Sequence, residues 1–130
     1  QSTIQFAMAP QPTASKIWWN IKQQATLRWD SPTIEIPANS NYPAGMLSRL
    51  VGVQWVKKEG WWYENFMGDM NDVRKDIRDI ADQQLRESTA LIKGRKLRGS
   101  VIIITLRHLA AQHSNISSVE VEYTLSNDTK

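Results

Sequence analysis

Apolar and polar positions alternate most cleanly near the end of the chain. Val119, Val121 and Tyr123 alternate with Glu120, Glu122 and Thr124, the period of two that marks a strand with one buried face. Before it, Val101 to Ile104 is a β-branched run that favours strand. Leu106, Leu109 and Ala110 then continue at helical spacing to His113, and Ser114-Asn115 ends that pattern. At the other end, Ile4 and Phe6 place a strand in residues 1–8, and Ala9-Pro10-Gln11-Pro12 breaks it. The stretch Lys16 to Trp29 reads two ways. Ile17, Trp19 and Ile21 alternate as in a strand, whereas Ile17, Ile21 and Ala25 share a helix face.

Thr33 to Ile36 reads as a short strand between Pro32 and Pro37, residues 38–45 as a loop, and Met46 to Leu50 as a short helical turn. Val51, Val53 and Trp55 or Val56 form a strand-like run. Glu59-Gly60 separates it from Trp61-Trp62-Tyr63-Glu64-Asn65-Phe66, which suggests a hairpin. The firmest periodicity is helical. Met70, Val73, Ile77, Ile80 and Leu85 fall on one arc with Ala81, Leu91 and Ile92. Asp69 stands where an N-cap belongs, Lys93 ends the run and Gly94 follows it. Together these elements predict an α+β fold: a mixed, mostly antiparallel sheet with one long amphipathic helix, about 69–92, packed on one face.

Composition narrows the class. A chain of 130 residues with 41% hydrophobic and 22% charged residues suits a single globular domain, 1–130. Its start at Gln1 is read as a sign that it belongs to a longer protein. The absence of cysteine excludes disulfides, thiol catalysis and thiolate metal sites, and is compatible with bacterial periplasm or cytoplasm alike. No apolar run approaches the ~18 residues of a transmembrane helix. The net charge of +3 is segmented. Residues 1–58 carry +4, residues 59–92 carry −4 and residues 93–130 carry +3. A nucleic-acid binder is expected to show a broader positive footprint.

Aromatic residues supply the first candidate site. Trp18, Trp19, Trp29, Trp55, Trp61 and Trp62 all lie in the first half of the chain, with Tyr42, Tyr63 and Phe66. Tryptophan serves cores and contact surfaces equally well. Adjacent strand residues point to opposite faces. One member of each pair, Trp18/Trp19 and Trp61/Trp62, is therefore expected outside a one-sided core. Trp18, Trp19, Lys57, Lys58, Trp61 and Trp62 form the candidate binding set.

Other constellations are weaker. Lys93, Arg95, Lys96, Arg98 and Arg107 could contact phosphates, but a solvated connector after an acidic helix explains them as well. Asp69, Asp72, Asp76 and Asp79 make a carboxylate stripe without an EF-hand loop or a histidine. His108 and His113, five apart, do not share a helix face as a ligand pair would. Glu35, Glu59 and Glu64 could pair as acid and base, for an enzyme acting on a polar substrate such as a sugar. No catalytic, metal or cofactor motif is assigned.

The closing stretch, Arg98-Gly99-Ser100 through Leu125, loosely resembles the strand–helix–strand half of ferredoxin-like domains, which occur in assembly-platform proteins of bacterial pili and secretion systems. The start without methionine, the missing catalytic motifs and the aromatic surplus point to a domain of a larger bacterial protein and are compatible with the soluble part of a membrane-anchored complex component. The sequence thus leads to a non-catalytic protein-interaction or assembly domain with a protein partner, compatible with a homo-oligomer. Nucleic-acid binding through 93–107 is the alternative, and the enzyme on a polar substrate comes third.

Overall fold

The computed structural model describes residues 2–11, 13–25, 27–39, 42–50, 55–72, 74–108 and 116–126. Their elements are β1 (Ser2–Met8), β2 (Lys16–Ala25), β3 (Asp30–Ile36), β4 (Met46–Leu50), β5 (Val56–Lys58), β6 (Trp61–Asn65), α1 (Lys75–Arg78), α2 (Gln83–Lys93), β7 (Arg98–Gly99), β8 (Ile102–His108) and β9 (Ile116–Leu125). Strands take 51% of the described residues and helices 14%, in two antiparallel sheets. The expected α+β fold with a long helix is therefore corrected to a mostly-β one.

The helix over 69–92 fails for a local reason. Asp69 Oδ1 accepts from Asn71 N at 2.9 Å and Asp72 Oδ1 from Arg74 N at 3.0 Å. Such side-chain-to-backbone bonds, two residues on, hold a turn and compete with helix. Helix begins in earnest only at α2, where Asp82 caps Gln84 N at 2.9 Å. The apolar arc is divided accordingly. Ile77 and Leu91 are buried, but Leu85 is 56% and Ile92 78% exposed. Val73 lies outside the described residues.

The first sheet has the order β1-β8-β3-β4. In the second, Lys16 and Ile17 of β2 pair with both β7 and β9, so those two strands lie on opposite edges of β2. Asn20 to Gln24 pair with β6 on the β7 side, and β5 pairs with the far edge of β6. Trp18 and Ile21 from this sheet share one buried cluster with Ile34, Ile36, Ile102, Ile104 and Leu106 from the other. The sheets thus face each other across a common core, each burying one face.

Strand alternation accounts for most of that core. Ile102, Ile104, Leu106 and His108 of β8 point inward. So do Met46, Ser48 and Leu50 of β4, which makes 46–50 a strand and not the helical turn its sequence suggested. In β2 the inward set changes parity, from Lys16 and Trp18 to Ile21 and Gln23. Trp18 pairs with Tyr123 and Asn20 with Glu122, leaving Trp19 as the extra residue of a bulge. The stretch is a strand, and the bulge explains why the alternation of Ile17, Trp19 and Ile21 is not its buried set. At the β5–β6 hairpin, Glu59 and Gly60 both have positive φ, 54° and 84°, as a two-residue turn of this twist requires.

Buried polar groups are tied in. Gln23 mimics backbone: its Nε2 donates to Trp29 O at 2.7 Å and its Oε1 accepts from Trp29 N at 3.0 Å. The Lys16 ammonium, fully buried, donates to the carbonyls of Gln11, Ala14 and Ser100 at 3.1, 3.0 and 2.8 Å. Burial pushes its pKa below the usual lysine value. The likeness of residues 98–125 to a ferredoxin-like half does not hold. β8 belongs to one sheet and β9 to the other, and the strand continues through His108 where helical spacing was read. Residues 109–115 lie outside the described set.

Candidate binding face

Residues opposite one another in an antiparallel pair share a face. Ile21 and Gln23 of β2 are buried, so their partners Glu64 and Trp62 lie on the inner side of the sheet. The alternate set faces out: Asn20, Lys22 and Gln24 of β2, opposite Asn65, Tyr63 and Trp61 of β6. β5 adds Lys58 beside Trp61, and β9 adds Glu120 beside Lys22 and Glu122 beside Asn20. The outer face of the five-stranded sheet thus carries two aromatic rings, three amides and a row of charges.

Some of these groups hold one another. Lys22 Nζ lies 3.4 Å from Glu120 Oε1 and 4.9 Å from the centre of the Trp61 ring. Asn20 Nδ2 donates to Glu122 Oε1. A hollow of about 650 Å³ opens over these groups, lined also by Lys58, Tyr63 and Asn65. A second hollow of about 320 Å³, also reaching Asn65, is lined by Trp19, Phe66, Ile92 and Lys96. There the Lys96 ammonium sits 4.7 Å from the Trp19 ring centre, and Trp19 Nε1 donates to Thr124 Oγ1 at 2.8 Å.

The six candidate binding residues are therefore dispersed. Trp61 and Lys58 share the outer face. Trp19 lines the adjoining hollow. Trp18 is a core residue, 2% exposed, bonded through Nε1 to Gly99 O at 3.1 Å. Trp62 is half-buried on the inner side, with Lys57 Nζ 5.4 Å from its ring centre, and its Nε1 is buried without a hydrogen-bond partner among the described residues. Trp29 and Trp55 complete the buried tryptophans. Sequence reading missed Asn20, Lys22, Tyr63, Asn65, Glu120 and Glu122. The signal that finds them is the period of two counted from Trp61 and from Glu120, once the strands are paired.

Part of the basic segment is engaged within the fold. Arg95 Nε lies 2.7 Å from Asp69 Oδ2, and its guanidinium lies 4.4 Å from the Tyr42 ring centre. Arg98 N donates to Met46 Sδ at 3.3 Å. Lys93 is exposed at the end of α2, and its carbonyl accepts from Arg74. Arg107 sits on β8, in the other sheet, paired with Thr3 of β1 and Asp30 of β3. The five residues do not form one surface.

The carboxylate stripe is likewise divided. Asp69 and Asp72 are buried, whereas Asp76 and Asp79 are exposed. Burial pushes the Asp72 carboxyl up, but the backbone N–H groups of Arg74 and Arg95 and their guanidinium charges outweigh it, leaving the pKa below the usual carboxylate range. His108 is buried and stacks on Trp29 at 5.5 Å, and His113 lies outside the described residues. Glu35 is on β3 of the first sheet, away from Glu59 and Glu64 on the second. Among the described residues no helix is long and apolar enough to cross a membrane. Compared with family models and with curated proteins, the chain matches none.

Proposed function

We propose that this chain is a non-catalytic interaction domain that engages a partner across the outer face of its five-stranded sheet. One observation carries the reading: Trp61 and Tyr63 stand on the same outward side of β6, over a hollow of about 650 Å³ edged by Lys22, Asn65, Glu120 and Glu122. Large rings flanked by polar groups are the usual anchors of a contact surface. Side chains already held to one another on a preformed sheet, as Lys22 is to Glu120 and Asn20 to Glu122, lose little freedom when a partner covers them.

The face carries Glu59, Glu120 and Glu122 as well as Lys22 and Lys58. Those carboxylates would repel phosphates, which favours a protein partner over a nucleic acid. The experiment is site-specific photo-crosslinking in the full-length protein in its native cells. A photoreactive residue at Tyr63 is expected to yield a discrete adduct, lost on Trp61→Ala. The same probe at Leu85, exposed on α2 and lining neither hollow, is expected to yield none. No adduct at Tyr63, or equal labelling at both positions, removes the reading.

A further inference from the structure

We propose that two copies of this chain associate through β1, the free edges pairing antiparallel so that two four-stranded sheets become one of eight. This inference concerns the other sheet and does not depend on the partner-binding face.

It begins with the strands at the sheet edges, β1 and β4 in one sheet, β5, β7 and β9 in the other, of which β7 has only two residues. An open edge is a template for any strand, and folds normally blunt it. β4 is covered: Leu47 N donates to Asp69 Oδ1 at 3.0 Å and Leu47 O accepts from Met70 N at 2.7 Å. β5 has three residues, two of them lysines. β9 is irregular twice in its pairing with β2 and carries Glu120 and Glu122. β1 has none of these devices. Its seven residues, Ser2 to Met8, pair with β8 in unbroken register and include no charge and no proline. Among the described residues, nothing pairs with its outer edge.

Beside that edge the sandwich is open. Ile4, Phe6, Met8, Leu106, Ile116 and Val119 line an apolar hollow of about 290 Å³, and Ile4 is 38% exposed. An added strand with apolar residues at alternate positions would cover it, as strand addition does elsewhere. β1 itself has that pattern. About a two-fold axis at Gln5, Ile4 opposes Phe6 of the second copy on the inner side. Thr3 opposes Ala7, and Gln5 opposes its own counterpart, on the outer side. Such an isologous contact closes at two copies, and no like charges meet. The same operation on β9, centred at Val121, would set Glu120 against Glu122, so the charge pattern selects β1.

One added strand covers less than the roughly 1,200 Å² of a standard interface, so the equilibrium depends on concentration. Sedimentation velocity on the full chain over a dilution series tests it, with Gln5→Lys and Gln5→Glu. Gln5 is exposed, and its recorded side-chain bond is to Thr105 Oγ1 at 3.1 Å, so circular dichroism should report an unchanged fold. The wild type is expected to show a reversible monomer–dimer equilibrium. Each charged variant alone should weaken it about fivefold, and an equimolar mixture of the two should restore it. Hydrogen exchange of β1 amides should quicken on dilution. A monomer at every concentration, a dimer indifferent to both variants, or open-ended growth instead of a dimer overturns the proposal.

Discussion

The Asp69 carboxylate and the Arg95 guanidinium meet at 2.7 Å, the acid fully buried and the arginine side chain one-third exposed. Asp69 is also the hub of its loop: Oδ1 accepts from Leu47 N at 3.0 Å and Asn71 N at 2.9 Å. The contact thus joins β4, the turn after β6 and the connector before β7. Arg95→Gln would leave a buried carboxylate without its cation, at a cost of about 2–3 kcal/mol given the partial exposure of the arginine. Asp69→Ala should cost more, because two backbone N–H groups then lose their acceptor as well. Urea unfolding of both variants measures the order. Equal loss would show that the charge pair, and not the hub, dominates.

Asp72 gives the fold an acid limit. Its pKa is lowered in the folded state, by the N–H groups and charges of Arg74 and Arg95 acting against burial. A lowered folded value means that this contribution is fully present above the unfolded carboxylate pKa, about 3.9. It is lost as pH falls from there through the folded value. Asp72→Asn should lower stability at neutral pH and flatten the stability–pH curve below about pH 4. A variant with the same acid slope as the wild type would place that limit elsewhere.

Ser48 predicts the opposite sign. It is fully buried on β4, and its hydroxyl has no hydrogen-bond partner among the described residues. An unmade buried hydrogen bond costs about 1–3 kcal/mol. Ser48→Ala, which removes the group without adding volume, should leave stability unchanged or raise it by up to about 1 kcal/mol. Thermal unfolding reports the difference, and a clear loss would reveal a partner for the hydroxyl.

Gly99 of one sheet packs tightly against Ile36 of the other. A Cβ there would lie 2.5 Å from Ile36 Cγ2, while the Gly99 carbonyl accepts from Trp18 Nε1 at 3.1 Å. Gly99→Ala should therefore destabilise by about 1–3 kcal/mol through overpacking. In an Ile36→Ala background the same change should cost distinctly less, since the clashing methyl is gone. A double-mutant cycle with no coupling would exclude that contact as the cause.

How much of this was legible in sequence depended on range. The turn of the β5–β6 hairpin was legible at Glu59-Gly60, because a tight turn is chosen by its own residues, whereas Val51 and Val53, read as part of its first strand, lie outside the described residues. β9 was legible from the alternation of Val119, Val121 and Tyr123. The helix over 69–92 was misread because Asp69 and Asp72 bond the nearby backbone, and the apolar arc does not record that. β2 was ambiguous because a bulge at Trp19 shifts its parity, and the pairing that reveals the bulge lies with Tyr123 and Glu122, a hundred residues away. The candidate face was half legible for the same reason. Trp61 and Lys58 were named, but Lys22, Asn20 and the β9 glutamates join them only across strands.

Trp18 and Trp61 should separate core from surface. Trp18 is 2% exposed, bonded to Gly99 O, and its ring centre lies 5.4 Å from that of Tyr123. Trp18→Ala should cost about 3–5 kcal/mol. Trp61 is half-buried on the outer face and meets the Lys22 ammonium at 4.9 Å, a contact worth about 0.5–1 kcal/mol at such a site. Trp61→Ala should therefore cost little stability, and its effect should appear in partner binding. Chemical denaturation of both variants, with crosslinking at Tyr63 as the second readout, tests the division. If Trp61→Ala destabilises as Trp18→Ala does, the outer ring is held by packing that the face does not display, and the proposed platform loses its anchor.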